Sequence, residues 1–474
     1  MKTRDAVTGT IAIIGGGVSG TLTAYHLLRQ NADARVIVID PRPKLGLGLA
    51  YSTPSLRHLL NVPAGKISAL PDEPEHFLNW LRLNHDAEAQ PTTFAPRAVF
   101  GRYIHSLAEG VDLNQVLASV VGYRANKTGA ILRLDTGREV SADVVVLATG
   151  NFEPAALPGI SEEAIETGAY WHNAWAPETY GNLNPDAPVA LIGTGLTGVD
   201  VVLRLRELGH RGIITAISRH GVFPNRHADY ESLDESAIPA ATPATCVAYL
   251  RTVHAAIRNG ADWRAVIDSL RSTTNELWLA LPLREQKRFR RHLQRRWDVV
   301  RHRMAPSIAD TIDAELKAGT LVLREGHLAA IDAIDIGASV VIRTHAGTES
   351  FTAARVINCT GPSMNYRRVG SPLLDRLFKQ GLISPGPLGG GFLCAGNGAM
   401  IDACGNVSER MFNLGPGRLG SLLESIAVPE IRQQAVQLAE LLSERVREVS
   451  ALDRLATSDV LRRQAEPRMG AVLA

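Results

Sequence analysis

The order of apolar and polar segments near the N-terminus predicts a strand, a glycine turn, a helix and a second strand. Residues 11–14 form a short apolar run, and Val18–Arg29 carries apolar residues at helical spacing. The turn between them has three glycines in the spacing GxGxxG: Gly15, Gly17 and Gly20. A second apolar run ends in Asp40, about 20 residues after the last of these glycines. This arrangement predicts a dinucleotide-binding loop, because the glycines allow a tight turn, the approach of a pyrophosphate and close helix packing, while the acid can bind ribose hydroxyls.

The same pattern returns near residue 190 and predicts a second dinucleotide site. An apolar run at 189–192 precedes three more glycines in GxGxxG spacing: Gly193, Gly195 and Gly198. Residues 199–208 then have helical spacing, and 213–217 form an apolar strand that ends in Ser218 and Arg219 instead of an acid. An acid would repel a 2′-phosphate, whereas Ser and Arg can bind one, so we predict NADPH rather than NADH. The alternative is that Arg219 is only a solvated surface arginine.

Each glycine motif is followed by alternating β segments that end in a Thr-Gly pair. These segments are 116–123, 130–135 and 139–147 in the first copy, and 321–325, 340–344 and 351–358 in the second. The repeat predicts an α/β fold with two Rossmann-like dinucleotide-binding domains. We assign residues 1–165 and 355–474 to a discontinuous first domain. Residues 166–354 form the inserted second domain, with a helical, charge-rich segment at 228–320.

After the second copy, the chain is predicted to return to the first domain. A helix is expected from residue 419 to about residue 448, and the last twenty or so residues have the composition of a polar tail.

The composition is that of an ordinary folded protein and narrows the function classes. The chain has 474 residues, of which 45% are hydrophobic and 21% charged, and its formal net charge is +2. Neither disorder nor a nucleic-acid or anionic-membrane partner is indicated. No run of about 18 apolar residues occurs, and the apolar stretch after the N-terminus is too short for a signal peptide.

The four cysteines limit the chemistry further. They are Cys246, Cys359, Cys394 and Cys404. No pair of them has CxxC spacing, and no Cys/His ligand spacing occurs, so we expect no metal site and no disulfide framework. This usage suits a reducing compartment, and we expect a cytoplasmic protein.

The two glycine motifs, the two Thr-Gly strand ends and their order resemble the flavoproteins that have two dinucleotide-binding domains. The segments GLGLAY, HLLNVP, FLNW, WDVVRHRMAP, NCTGP and VPEIR resemble, more specifically, a bacterial FAD/NAD(P)-binding protein family, over most of the chain. That resemblance implies FAD in the first site and NADPH in the second. The residues that we assign to FAD are Gly15, Gly17, Ser19, Gly20, Asp40, Asn61, Gly150, Gly415 and Pro416. Those that we assign to NADPH are Gly193, Gly195, Gly198, Ser218 and Arg219.

The family members with an assigned chemistry resemble flavin-dependent N-hydroxylating monooxygenases, among them an aspartate N-monooxygenase that leads to nitrosuccinate. The resemblance implies that NADPH reduces the flavin, that O₂ forms a C4a-hydroperoxyflavin, and that the neutral amine of a small amino acid such as L-aspartate is hydroxylated. No catalytic side chain is then required, because the flavin carries the chemistry. The alternatives are an NAD(P)H-dependent flavin oxidoreductase without oxygen transfer and a flavin-binding sensor. The oligomeric state is left open, with a homodimer as one option.

Two other flavoprotein classes are disfavoured because this sequence lacks their characteristic motifs. Disulfide reductases need a redox-active cysteine pair beside the flavin, and the cysteine spacing here provides none. Baeyer–Villiger enzymes carry FxGxxxHxxx(W/Y) between their domains. This chain keeps Gly168 and His172, has Glu166 in place of Phe and is one residue short before Trp175. The partial match favours a relative of the class B monooxygenases, although His172 and Trp175 could equally pack within a linker.

Polar residues in apolar surroundings are the candidates for substrate binding. We predict substrate contacts for His58, Lys66, Ser68, Arg290 and Arg291. Lys66 and one of the two arginines would pair substrate carboxylates, and Asn61 would bond the flavin. The alternatives are that Lys66 is a surface lysine, that Asn61 caps a turn and that the arginines lie on a solvated helix face.

Overall fold

The computed structural model describes residues 9–30, 34–126 and 129–465. Its strands are β1 Gly9–Ile14, β2 Ala34–Ile39, β3 Asn114–Val116, β4 Val120–Ala125, β5 Ala130–Leu134, β6 Glu139–Ala142, β7 Val144–Leu147, β8 Tyr170–Trp171, β9 Val189–Ile192, β10 Ile214–Ser218, β11 Leu321–Glu325, β12 His327–Ile334, β13 Gly337–Thr344, β14 Gly347–Ala353, β15 Arg355–Asn358, β16 Ala399–Ile401 and β17 Val407–Asn413. Its α-helices are α1 Val18–Arg29, α2 His76–Asn84, α3 Arg97–Glu109, α4 Glu162–Glu166, α5 Leu196–Glu207, α6 Cys246–Arg258, α7 Trp263–Ser269, α8 Thr274–Ala280, α9 Leu283–His292, α10 Gln294–Arg301, α11 Pro306–Ala318, α12 Pro372–Lys379 and α13 Val428–Ala465.

The first sheet combines strands from distant parts of the chain, in the order β16-β17-β7-β1-β2-β3, and its neighbours are parallel except for β16, which is antiparallel to β17. Strand β1 runs parallel to β2 and β7, and β17 runs parallel to β7. Alternate residues of β1 enter two different cores. Ile11 and Ile13 pack with α1, α3 and α13, whereas Ala12 and Ile14 pack with β4–β6 and α12. Both faces of the strand are therefore covered, which explains its continuous apolar sequence.

The second sheet has the order β11-β10-β9-β15-β8, and each pair of neighbours is parallel. Helices α5 and α11 cover one face, where Leu191 and Val202 are buried. The small sheet β12-β13-β14 covers the other face through Val340 and Ile342. Two largely parallel sheets with helices and small sheets on their faces are the predicted α/β architecture.

The β segments predicted at 139–147 and 351–358 are each divided between two sheets. In the first copy the division falls at Asp143, whose backbone N–H donates to the Thr10 carbonyl oxygen, while its carboxylate accepts from the Thr10 N–H at 2.7 Å. In the second copy it falls at Ala354, whose N–H donates to Pro188 at 2.8 Å. An apolar alternation does not show where a strand changes partners, so the sequence reading missed both divisions.

Residues 228–320 contain helices α6–α11, as the charge-rich pattern predicted. The C-terminal helix, however, begins at Val428 and not at residue 419, because residues 415–420 form a 3₁₀ turn and Pro429 stands in the first helical turn. The helix runs to Ala465, so the predicted polar tail is helical up to that residue. The remainder of that tail lies outside the described residues. Within the described ranges, no helix is long and apolar enough to cross a membrane.

Candidate functional site

The first glycine loop joins β1 to α1 and contains two kinds of glycine. Gly15 has a φ of +107°, and a Cβ there would clash with the carbonyl oxygen of Ala148. A Cβ on Gly20 would clash with the carbonyl oxygen of Gly15. At Gly17, in contrast, the nearest atom to a Cβ would be Gly48 Cα at 3.5 Å, which is ordinary contact. The fold requires glycine at the first and third positions, and the second has space that a ligand can use.

The second glycine loop, between β9 and α5, repeats this geometry. Gly193 has a φ of +117° and lies against the Cys359 carbonyl oxygen, and a Cβ on Gly198 would meet the carbonyl oxygen of Gly193. At Gly195 no atom of the described residues lies within 4 Å of a Cβ. Both loops therefore fit a pyrophosphate at the middle glycine, next to the N-terminus of the following helix.

Asp40 follows β2 and is only 2% exposed. Its Oδ2 accepts from the Gly16 N–H and from Arg42 Nη2, both at 2.7 Å, and its Oδ1 accepts from the Arg42 N–H and Nε at 2.8 and 2.9 Å. Burial alone would raise the pKa of Asp40, but the hydrogen bonds from Arg42 and Gly16 outweigh it, so the pKa is lowered. These bonds use all four lone-pair positions of the carboxylate. Ribose binding by Asp40 therefore requires the exposed Arg42 side chain to move aside.

A cleft of ≈ 600 Å³ runs between the two sheets and receives residues from both glycine motifs. From the first half of the site it is lined by Gly15, Gly17, Asp40 and Gly150, and from the second by Trp175, Thr197, Asn358 and Gly361. Thr197 lies in the first turn of α5. One continuous cleft therefore reaches the N-terminal ends of both α1 and α5.

The other residues predicted for FAD lie at different depths. Gly415 has a φ of +80°, and a Cβ on it would clash with the Ser19 hydroxyl, so these two predicted positions are neighbours. Pro416 is buried in the 3₁₀ turn Gly415–Gly420. Asn61 is half-buried in the loop before the 3₁₀ turn Ala64–Lys66. Their roles toward FAD stay predictions.

The residues predicted to select NADPH lie at the end of β10. Ser218 Oγ is 2.8 Å from Thr194 Oγ1, which belongs to the second glycine loop. Arg219 follows it and is exposed. The loop and the strand end are thus joined where a Rossmann-type site holds the adenosine ribose.

His58 is 3% exposed and packs against α5, the helix that follows the second glycine loop. Its Nε2 donates to the Asp200 carbonyl oxygen at 2.9 Å, so its Nδ1 accepts from Thr53 Oγ1 at 2.7 Å. Burial lowers the pKa of His58. Beside it, the buried Asp200 carboxylate pairs with Arg97 Nη1 at 2.6 Å and Nη2 at 3.1 Å. Both ring nitrogens of His58 are thus used within the protein, and this predicted substrate residue joins the two halves of the site.

Trp175, from the region of the partial Baeyer–Villiger motif, lines the cleft and lies edge-on to the His58 ring at 6.1 Å. His172 is half-buried like Trp175, and its Nε2 donates to the Pro154 carbonyl oxygen at 2.9 Å. His172 and Trp175 therefore pack within the segment that connects the two sheets, and Trp175 also lines the cleft.

Lys66 is exposed, as the alternative of a surface lysine expected, and it lies beside a buried arginine that the sequence did not suggest. Its Nζ is 5.5 Å from the centre of the Tyr230 ring, and the Arg303 guanidinium is 5.6 Å from the same ring. Arg303 is 2% exposed, and its Nη2 donates to Asp268 at 2.6 Å. The Tyr230 hydroxyl donates to the same carboxylate, and burial together with this bond raises the pKa of Tyr230 to about 12. Arg303 Nε and Nη1 have no hydrogen-bond partner among the described residues.

The remaining predicted substrate residues lie apart from this group. Ser68 is fully buried, with its hydroxyl 2.7 Å from the Glu73 carbonyl oxygen, so we do not include it in the substrate site below. Arg290 lies 5.1 Å from the Trp278 ring and donates to Gln294 at 2.9 Å, and burial lowers its pKa. Arg291 is exposed. The arginine that accompanies Lys66 is Arg303, and only the dense basic composition of 284–303 could have indicated it.

The comparisons with known proteins agree with the geometry of the first loop. Residues 12–152 match the model of the FAD-NAD(P)-binding family. This segment is thus similar to an FAD-NAD(P)-binding domain. The prediction of FAD as a cofactor is therefore confirmed, and the individual FAD-binding residues stay a prediction.

Two curated proteins are similar to part of the chain. The uncharacterized protein YdhS of Escherichia coli is 25% identical over 239 residues, which are 46% of this chain and 43% of that protein. A Baeyer-Villiger monooxygenase of Streptomyces coelicolor is 28% identical over 217 residues, 43% of this chain and 33% of that protein. The matched part thus spans less than half the length of either relative.

Solved structures show the fold over most of the chain. The ornithine hydroxylase of Pseudomonas aeruginosa has a TM-score of 0.61 and 16% identity, covering 92% of this chain and 99% of its own. The cadaverine monooxygenase of Erwinia amylovora has a TM-score of 0.60 and 14% identity, covering 92% and 94%. A bacillithiol disulfide reductase of Bacillus cereus has a TM-score of 0.52 and 14% identity, covering 92% and 99%. These likenesses confirm the predicted fold class, and the exact domain boundaries stay a prediction.

Proposed function

We propose that this chain is an FAD- and NADPH-dependent monooxygenase that N-hydroxylates the amine of a small amino acid. The observation that carries the proposal is the single cleft that reaches both glycine loops, with Gly17 and Thr197 in its wall. A flavin bound at the first loop and a nicotinamide bound at the second can meet there. The solved structures of similar fold include an ornithine hydroxylase and a cadaverine monooxygenase, which supports this choice among flavin chemistries.

Bound FAD and NADPH would supply the redox and oxygen chemistry, and the chain would supply binding and orientation. Gly17 and Gly195 leave space for the two pyrophosphates. Trp175 lines the cleft, and the Arg97–Asp200 ion pair, at 2.6 Å, joins its two halves. The substrate amine must be neutral to react, so the rate should rise with pH until another group limits it.

For the substrate, we propose an acidic amino acid, with L-aspartate as the first compound to test. Lys66 and Arg303 bring two positive charges to the Tyr230 ring, and Asp268 balances one of them. Arg303 keeps two N–H groups without a partner among the described residues, and an unpaired buried donor is costly. A substrate carboxylate beside the exposed Lys66 would pair with the remaining charge, and it would reach the buried Arg303 donors once neighbouring side chains move to admit it.

A reductase without oxygen transfer is the second candidate, because a disulfide reductase shares the fold. The disulfide version of that chemistry is disfavoured by the cysteines. Cys246, Cys359 and Cys394 are buried, Cys404 is exposed and none is bonded to another in the described residues. Burial raises the pKa of Cys246 to about 11 and of Cys394 to about 12, and raises that of Cys359 as well, so none of these three buried cysteines is a ready thiolate.

The test is NADPH consumption by the FAD-loaded protein with a panel of amino acids, with O₂ uptake and hydroxylamine product measured together. We expect coupled product with aspartate, and a Lys66→Ala variant should have a raised KM for aspartate and unchanged FAD content. Lys317→Ala, an exposed lysine on α11, is the matched control. NADPH oxidation without hydroxylated product would support the reductase. Hydroxylation of ornithine or lysine with no reaction on aspartate would overturn the proposal that the substrate is acidic, and the proposed N-hydroxylation would stand.

A further inference from the structure

We propose that Arg295, a residue of the helical segment, forms the 2′-phosphate site of NADP(H) together with Ser218 and Arg219. The choice of nicotinamide would then depend on α10 as well as on the second sheet. This inference rests on the proposed use of a nicotinamide nucleotide, but not on the reaction that follows.

The first support is position. Arg295 Nη2 donates to the Val222 carbonyl oxygen at 2.7 Å and lies 3.1 Å from Thr194 Oγ1. Thr194 belongs to the second glycine loop, and its hydroxyl is 2.8 Å from Ser218 Oγ. The guanidinium therefore reaches from α10 to the end of β10, where Arg219 begins the next turn. In Rossmann-type sites this end of the strand faces the adenosine ribose.

The second support is charge. Arg219 and Arg295 are close enough to repel each other, and burial and this repulsion lower the pKa of Arg295 while Asp298 raises it. Asp298 already accepts a hydrogen bond from Gln294 at 2.7 Å. A phosphate dianion at this position would neutralise both guanidinium groups.

Another acid near this strand end is Glu325, whose backbone is paired with Ser218 across β10 and β11. Its carboxylate lies 3.6 Å from His345 Nε2, on the exposed side of the sheet. In the part of the chain that the structure describes, the hydrogen bonds of Arg295 come from Nη2. Its Nη1 and Nε are thus available to donate to a phosphate.

The competing interpretation is that Arg295 only supports the glycine loop. Removing a loop support would weaken NADP⁺ and NAD⁺ alike, because both nucleotides place a pyrophosphate on that loop. Removing a 2′-phosphate ligand would weaken NADP⁺ alone. The ratio of the two affinities therefore separates the interpretations.

The experiment is isothermal titration of FAD-loaded Arg295→Ala protein with NADP⁺, NAD⁺ and 2′,5′-ADP. A charge-assisted bond to phosphate corresponds to roughly 10- to 150-fold in affinity. We expect a loss of this size for NADP⁺ and 2′,5′-ADP, a much smaller loss for NAD⁺ from the lost bonds to Thr194, and partial recovery in Arg295→Lys. Arg296→Ala, the exposed neighbour that lines a separate tryptophan-walled cavity, is the control and should bind like the unmutated protein.

Equal losses for NADP⁺ and NAD⁺, or no loss in either, would overturn the assignment of Arg295. Should the unmutated protein bind neither nucleotide, the inference and the proposed use of NADPH would fail together. If it binds NADP⁺ through Arg295 but hydroxylates no amine, the inference stands and the proposed reaction fails. Retention of FAD and of the far-UV circular dichroism spectrum excludes misfolding of the variants.

Discussion

Replacing Gly17 by valine separates ligand binding from folding more cleanly than any other change in the first loop. Gly17 is the N-cap of α1, with φ −72° and ψ −170°, a conformation open to any residue. A Cβ there would have Gly48 Cα as its nearest neighbour, at 3.5 Å. The apo protein should therefore tolerate the valine with a loss of less than about 1 kcal/mol in the free energy of unfolding.

The bound pyrophosphate should not tolerate it. The branched side chain occupies the space in front of the helix N-terminus, where backbone N–H groups would contact the phosphates. Displacing two charge-assisted hydrogen bonds at ~1.5–3 kcal/mol each costs roughly 3–6 kcal/mol. FAD affinity should then fall by roughly two to four orders of magnitude. Gly20→Ala is the contrasting variant, because its Cβ would collide with the Gly15 carbonyl oxygen and destabilise the fold itself.

The assay measures two quantities for each variant: the FAD content after purification, from the absorbance ratio at flavin and protein bands, and the denaturant unfolding of the apo protein. We expect Gly17→Val to lose FAD with a normal unfolding midpoint, and Gly20→Ala to lose both. Full FAD occupancy in Gly17→Val would refute the assignment of this loop as the pyrophosphate site.

Three further predictions concern the second glycine loop, the Arg97–Asp200 pair and the buried His26. Gly195→Val should abolish NADP⁺ binding while FAD content stays normal, measured by titration and flavin absorbance; loss of both cofactors would contradict the assignment. Arg97→Ala leaves the buried Asp200 carboxylate unpaired and should cost ~3–5 kcal/mol of unfolding free energy, whereas a cost below about 1 kcal/mol would show that the pair is weak. Burial, reinforced by Arg29, lowers the pKa of His26 to about 4, so the unfolded chain takes up a proton below about pH 6.5 and the folded chain does not. Stability should fall between pH 6.5 and 4 by up to about 3 kcal/mol from this residue, and His26→Gln should flatten that part of the unfolding profile; an unchanged slope would contradict this.

The local elements of the two nucleotide loops could be predicted from the sequence because their signals are local. Helix α1 has the predicted bounds, Val18–Arg29, and β9 has the predicted bounds 189–192. At Gly20 and Gly198 the reason for glycine lies within the loop, because a Cβ would meet the carbonyl oxygens of Gly15 and Gly193. At the first glycine of each loop, the obstructing carbonyl oxygen belongs to a distant strand end, at Ala148 or Cys359. The motif also assigned the approach of a pyrophosphate to the middle glycine, and the space beside Gly17 and Gly195 fits that assignment.

The substrate side of the site could not be predicted in the same way. Arg303 and Lys66 lie far apart in the sequence and meet at Tyr230, which carried no motif. The basic run 284–303 offered several arginines of equal appearance, and only burial distinguishes Arg303 from the exposed Arg291. Long-range pairing of polar side chains leaves no periodic pattern, so composition identified the segment and not the residue.

The order of the first sheet has a consequence for how the chain folds during synthesis. Strand β7, whose residues Val144–Leu147 are all buried, pairs on one side with β1 and on the other with β17. The ribosome releases β17 only after the entire second sheet, 170–358, has emerged. Until then β7 presents an apolar, unpaired edge, which is a site for wrong strand pairing. The second sheet can close first, and the edge of β7 stays open until residue 413, the end of β17, has emerged.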